Sequence, residues 1–289
     1  MRDNSQRGWV TIGFGLLAFF AYWVIHAVWA VGVRVLGQAL GVPELVTGTL
    51  SRAGGIGLAI GVSLVAARVA WDGDMASLGL SLHRGWQGDL IYGTVLTAAA
   101  MLVLFAVLIK GDWLVVLDWR WQTMQVRPWL SVLWISFLTS VQAALGEEVM
   151  FRGYLLNGLR RAWGPARGLW ATSVLFAVPH LLNTSAAQTA LPLFLIALLG
   201  PAILLGWTYL KAGSLWLPVG IHFAWNFVQN GLLNLPGRVG QNVFGAQTRL
   251  TGPAWLVGTD YGVEVGLLGL VPLGIVALGS LAWVRIHRR

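Results

Sequence analysis

Long uncharged stretches alternate with short polar ones along this chain. Uncharged runs occupy 8–33, 53–67, 90–109, 128–146, 168–210, 212–237 and 265–284. A helix needs about 20 mostly apolar residues to cross the hydrocarbon core of a bilayer. The 53–67 run is short, but Arg52 and Arg68 flank it, and such long side chains reach outward to the interface. The 168–210 run has room for two helices with a polar turn at NTSAAQT, residues 183–189. The pattern predicts an all-α polytopic membrane protein of about eight transmembrane helices. Open β-structure is excluded because lipid offers no partner for an unpaired backbone group. Barrel strands would alternate with period two, and these runs do not.

Composition agrees. Of 289 residues 57% are hydrophobic and only 10% charged, against about 25% charged in soluble domains. Mean hydropathy is +0.71. The net charge of +8 would suggest nucleic acid in a soluble chain. Here the cations sit in gaps between apolar runs, where they set topology and meet anionic headgroups, so no nucleic-acid partner is expected. An even number of spans places both termini on one side. The termini and the connections on their side hold Arg2, Arg7, Arg68, Arg84, Arg160, Arg161, Arg167, Lys211, Arg285, Arg288 and Arg289. The opposite side holds Arg34, Arg52, Lys110, Arg120, Arg127, Arg238 and Arg249. That excess predicts cytoplasmic termini, in a plasma membrane that is expected to be bacterial. Many of the 17 Trp lie near run ends, as interfacial belts require. With no cysteine, disulfides, thiolate metal sites and a thiol nucleophile are excluded. The first run is too long for a signal-peptide core and reads as a retained span. Without repeats or low-complexity segments, 1–289 reads as a single integral membrane domain.

Ionisable residues inside apolar runs are costly and mark function by default. They occur in three places: Glu147, Glu148 and Arg152 in GEEVMFR; His180 in FAVPH; His222 and Asn226 in HFAWN. Glu148 and Arg152 are spaced i,i+4 and can pair along one helix face. Glu147 lies about 100° round the helix from Glu148 and is free to face elsewhere. His222 and Asn226 share the i,i+4 spacing, as do Phe176 and His180. Packing the three helices together would enclose one polar intramembrane site. Pro179 and Pro218 lie next to His180 and His222 and would kink their helices. His26, alone in the first run, reads as a residue bonded to a neighbouring carbonyl. His83 and His287 lie in polar segments and receive no role. A carboxylate and a histidine can hold and deprotonate a water. A second histidine and an amide can donate to developing charge on a carbonyl oxygen. The same Glu and His groups can instead ligate zinc.

The three motifs resemble the CPBP family of CAAX proteases and bacteriocin-processing enzymes. Its pattern EExxxR, FxxxH, HxxxN reads here as Glu147-Glu148 to Arg152, Phe176 to His180, and His222 to Asn226. The motifs span 147–226, and a catalytic core of 128–230 is expected. The resemblance implies an eight-helix intramembrane endopeptidase, its site open toward the cytoplasm. It implies that Glu147 and His180 activate water, that His222 and Asn226 stabilise the oxyanion, and that Glu148 and Arg152 support the site. The family is usually filed with metalloproteases, yet the helical zinc signature HExxH is absent from this chain. The favoured mechanism needs no cofactor; Glu147, His180 and His222 are the ligands if zinc is bound.

Two other functions use the same residues. One is a non-catalytic membrane immunity or scaffold protein. The other is a proton-coupled transporter with a Glu/His relay, for which inverted repeats would be evidence; none is visible. The expected partners are the bilayer and a peptide or membrane-anchored substrate. Substrate identity, prenylation and oligomeric state are not encoded legibly.

Overall fold

The computed structural model describes residues 4–181, 191–235, 243–259 and 262–287. Helices dominate it, as the hydrophobic pattern predicts. α1 (Asn4–Ala39), α2 (Glu44–Trp71) and α3 (Trp86–Lys110) are followed by strand β1 (Leu114–Trp119) and the short α4 (Arg120–Thr123). α5 (Val126–Glu148) continues through a π-helical stretch, Val149–Leu156, into α6 (Asn157–Trp163). α7 (Pro165–Leu181) and α8 (Leu191–Ala212) divide the longest uncharged run; the polar turn expected at 183–189 lies outside the described residues. α9 (Trp216–Asn226) runs into a second π-helical stretch, Phe227–Leu232. Strand β2 (Ala246–Leu250), α10 (Ala254–Val257) and α11 (Leu270–His287) complete the chain.

By length and composition, 6 of the described helical segments can cross a membrane. They are α1, α2, α3, the joined α5–α6 rod, α8 and the α11 segment. α7 has 17 residues and α9 only 11, so both fall short of the eight full spans expected. α2 greatly outgrows its uncharged run because Arg52 is accommodated inside it. Arg52 Nε donates to Thr139 Oγ1 at 2.6 Å and a terminal nitrogen donates to the Gly48 carbonyl at 3.0 Å. Pairing within protein removes the need to end the span at the charge.

Two ends of the molecule can be told apart by their contacts. At one end Trp9 meets Trp163 edge-on at 5.4 Å, and Arg161 lies over the Trp71 ring. Trp283 donates to Asp89 at 2.8 Å there. This end carries the start of α1 and the end of α11, and we call it the terminal face. At the other end Trp29 donates to the Leu50 carbonyl, Trp134 to Thr49 and Trp129 to the Phe244 carbonyl. β1 and β2 pair antiparallel there, from Leu114↔Leu250 to Trp119↔Ala246 with an irregularity between Val116 and Asp118. No strand was expected. The sheet belongs to the connections between the candidate spans.

The closest helix packing is between α3 and α9. A Cβ on Gly93 would meet the Leu217 carbonyl at 2.7 Å, and one on Gly220 would collide with the Leu90 carbonyl. Small residues at such crossings let backbones approach and gain dispersion contact where lipid offers no hydrophobic drive. α9 is therefore held rigidly, and with it His222.

Candidate active site

The last turn of α5 presents two adjacent carboxylates in opposite surroundings. Glu148 is fully buried. Its Oε1 accepts from Arg152 at 2.8 Å and from His222 Nδ1 at 2.9 Å. Arg152 also donates to the Ala202 carbonyl at 3.1 Å and lies 4.4 Å over the Phe176 ring. A charge taken out of water needs such multiple partners. Glu147, one residue before, keeps 36% of its side chain exposed, with Oε2 3.9 Å from His222 Nε2.

Phe176 links the ion pair to the second motif. One turn beyond it, His180 Nδ1 donates to the Phe176 carbonyl at 2.9 Å. That bond leaves Nε2 as the ring's proton-accepting nitrogen. His222 is fixed likewise through its bond to Glu148, which leaves Nε2 on the Glu147 side.

Glu147, His180, His222 and Asn226 all line one cavity of about 400 Å³. Three helices bring them together: α5, α7 and α9. The cavity extends along α5 through Ser140 to Ser136, and along α9 to Gln229 and Gly231. Pro201 of α8 lines the wall with Ala197, and its missing N–H removes the donor that the Ala197 carbonyl would otherwise receive. Pro218, expected to kink α9, sits in that helix's first turn, where no N–H bond is lost.

Counting residues along ideal helices puts His180 much deeper in the bilayer than His222. In the structure both histidines line the same cavity. Leu215 and Leu217 are fully buried, and the Leu215 N–H donates to the Gly79 carbonyl at 3.0 Å. α9 thus begins packed beneath the 72–85 connection.

Sequence reasoning missed three cavity or near-cavity groups. Gln229, buried, donates to Glu264 at 2.8 Å, and both line the cavity. Gln229 was findable: it lies one turn past Asn226 on the same face. Glu264 stands just outside the last uncharged run, with nothing in sequence to connect it. The third is Gln142, whose amide nitrogen lies 3.0 Å from His26 Nε2, on a ring stacked against Tyr22. His26 thus meets a side-chain amide in addition to the backbone of Ser51, the kind of partner its isolation in sequence suggested.

Zinc, if bound, would draw on Glu147, His180 and His222, which line one cavity. Among the described residues no three His, Asp or Glu side chains come together as a ligand set. The Nδ1 bonds of His222 to Glu148 and of His180 to a backbone carbonyl are of the kind a metal-ligating histidine also makes.

A helical membrane protein with a carboxylate–imidazole cavity among its spans is the class that the fold and cavity define. Within it, residues 128–228 match the family model described as type II CAAX prenyl endopeptidase Rce1-like, so the resemblance read from the three motifs is borne out over that segment. No curated protein and no solved structure matches the chain.

Proposed function

We propose that this protein is an intramembrane endopeptidase that hydrolyses a peptide bond in a membrane-associated or peptide substrate. One observation carries the reading: Glu147, His180, His222 and Asn226, from three helices, line a single cavity within an apolar helical assembly. The family match over 128–228 supports the same reaction class.

In this reading a water in the cavity is held by Glu147 and His180. Together they can take its proton as it attacks the scissile carbonyl. The developing oxyanion is met by the Asn226 amide and by His222, whose ring Glu148 holds through Nδ1. The proton then passes to the leaving amine. Arg152 and Glu148 touch no substrate; they position His222 and, through Phe176, the helix that carries His180. No step passes through a metal, and metal analysis of the purified protein tests that point separately. The bacterial plasma membrane, with cytoplasmic termini, is the proposed location.

Quantitative proteomics of membranes from cells carrying either wild type or Glu147→Ala tests the function. A precursor accumulating uncleaved in the variant is the expected result. Normal processing by Glu147→Ala would sink the mechanism. Proton-coupled flux in liposomes, lost in Glu147→Gln without any accumulated precursor, would instead favour the transporter.

A further inference from the structure

A second cavity, of about 780 Å³, lies between the end of α1, the start of α2 and the first turns of α5. Its volume falls within the range of about 300–1,000 Å³ typical of small-ligand sites. Two arginines line it, Arg34 from α1 and Arg52 from α2, and among the described residues one carboxylate does, that of Glu44. No ion pair joins either arginine to a carboxylate among the described residues. None of these groups has a part in the peptidase reading.

The donors in this wall suit an anion. Arg52 is held in place by its bonds to Thr139 at 2.6 Å and to the Gly48 carbonyl at 3.0 Å, which use Nε and one terminal nitrogen and leave the other terminal nitrogen for a ligand. α2 also begins here. Pro43 precedes it with no side-chain cap bond, and the N–H groups of the first turn, at Glu44 and Leu45, have no intrahelical acceptor. Both residues line the cavity, and this end of a helix carries partial positive charge. Ser51 adds a hydroxyl. The Glu44 carboxylate offsets one guanidinium, so the wall keeps a surplus of one full positive charge. Planar guanidinium groups in such a wall match the oxygens of a phosphate.

The surroundings say what carries the phosphate. Leu45, which lines the cavity, is exposed, as are Val35 and Leu130, the chain neighbours of Arg34 and Ser131 in the wall. Trp29 and Trp134, bonded to the Leu50 carbonyl and to Thr49, flank α2 at the same level, and tryptophan gathers at headgroup depth. We infer that the cavity between α1, α2 and α5 binds a phosphate group through Arg34 and Arg52, presented by a singly charged phospholipid whose chains lie along the exposed apolar side chains. Free phosphate offers the same oxygens without the chains. Thr139, which Arg52 holds, also lines the reactive cavity, so the two cavities share a wall.

The full-length protein in a non-ionic detergent is titrated with dioleoyl phosphatidylglycerol, with dioleoylglycerol, which has the same chains and no phosphate, and with inorganic phosphate. Native mass spectrometry counts the molecules bound. Wild type is expected to hold phosphatidylglycerol saturably and not to retain dioleoylglycerol. Arg34→Gln and Arg52→Gln should each lower the lipid affinity about tenfold or more, as loss of a charged hydrogen bond does. Arg34 is exposed, so its variant leaves the helix packing in place, and a melting curve on each variant checks the fold. Inorganic phosphate bound as tightly as the lipid, with the same dependence on both arginines, upholds the site and makes free phosphate its source. Lipid held equally by wild type and Arg34→Gln, lipid matched by dioleoylglycerol, or no binding of either phosphate probe overturns the inference. The readout needs no cleavage, so its failure and that of the peptidase reading are separate results.

Discussion

One oxygen of Glu148 accepts from both Arg152, at 2.8 Å, and His222 Nδ1, at 2.9 Å. The second motif glutamate is thus the joint between the α5–α6 rod and α9, while its neighbour Glu147 faces the cavity. Two identical side chains, adjacent in sequence, should fail in different ways. Glu148→Ala leaves a buried guanidinium without its counter-charge, at a cost of about 3–5 kcal/mol. Thermal unfolding in detergent should show a large drop in Tm together with lost cleavage. Glu147→Ala, partly exposed, should change stability by less than about 0.5 kcal/mol while abolishing cleavage. Equal destabilisation by the two would contradict the division of roles.

His180→Ala should keep the fold and lower the cleavage rate about 10²–10⁴-fold, the usual contribution of a positioned base. Phe176→Leu keeps apolar volume but removes the ring under Arg152. A cation–π contact of this kind contributes about 0.5–2 kcal/mol, so this variant should lower Tm measurably and reduce the rate far less than His180→Ala. Single-turnover cleavage and a melting curve on each variant separate the two effects.

Gly220→Val forces a side chain into the Leu90 carbonyl across the α3–α9 crossing. Overpacking of this sort costs about 1–3 kcal/mol. Because α9 carries His222 and Asn226, the rate should fall along with stability. Gly57→Val, at a position where a Cβ meets nothing within 4 Å, is the control and should leave both nearly unchanged.

The 72–85 connection offers a pH handle outside the spans. The Ser77 backbone N–H donates to the Asp74 carboxylate at 2.8 Å, and this bond holds the Asp74 carboxyl below the usual carboxylate range. A depressed folded-state pKa contributes stability above the ordinary Asp value of about 3.9 and loses it as pH falls through the folded value. Wild type and Asp74→Ala should therefore differ in melting temperature near neutral pH and converge below about pH 3. A difference that persists into strong acid would place the effect elsewhere.

Much of this arrangement is legible in sequence because lipid punishes charge. Glu147, Glu148, Arg152, His180 and His222 stand out among apolar neighbours, and i,i+4 spacing assigns Glu148 to Arg152 without a structure. Three features do not stand out. The early start of α9 depends on Leu215 packing beneath Gly79, a contact between connections far apart in the chain. The bond from His222 to Glu148 rather than to the cavity is a choice of rotamer and crossing angle. Arg52 looks like the end of a span until its partner Thr139 is seen. Each is settled by tertiary contact, about which hydrophobic periodicity is silent. The sheet escaped notice for a related reason: Leu114–Trp119 pairs with a strand more than a hundred residues away.

The two π-helical stretches begin at Val149 and Phe227, directly after Glu148 and after Asn226. A turn closed over five residues instead of four breaks the 100° step that otherwise ties every azimuth on a rod to every other. The arginine-bearing tail of the long α5–α6 rod is therefore offset in azimuth from its acidic half. Beyond the turn, Val149 to Leu159 are buried, and the offset lets them pack against α1 and α2 while Glu147 keeps its place on the cavity.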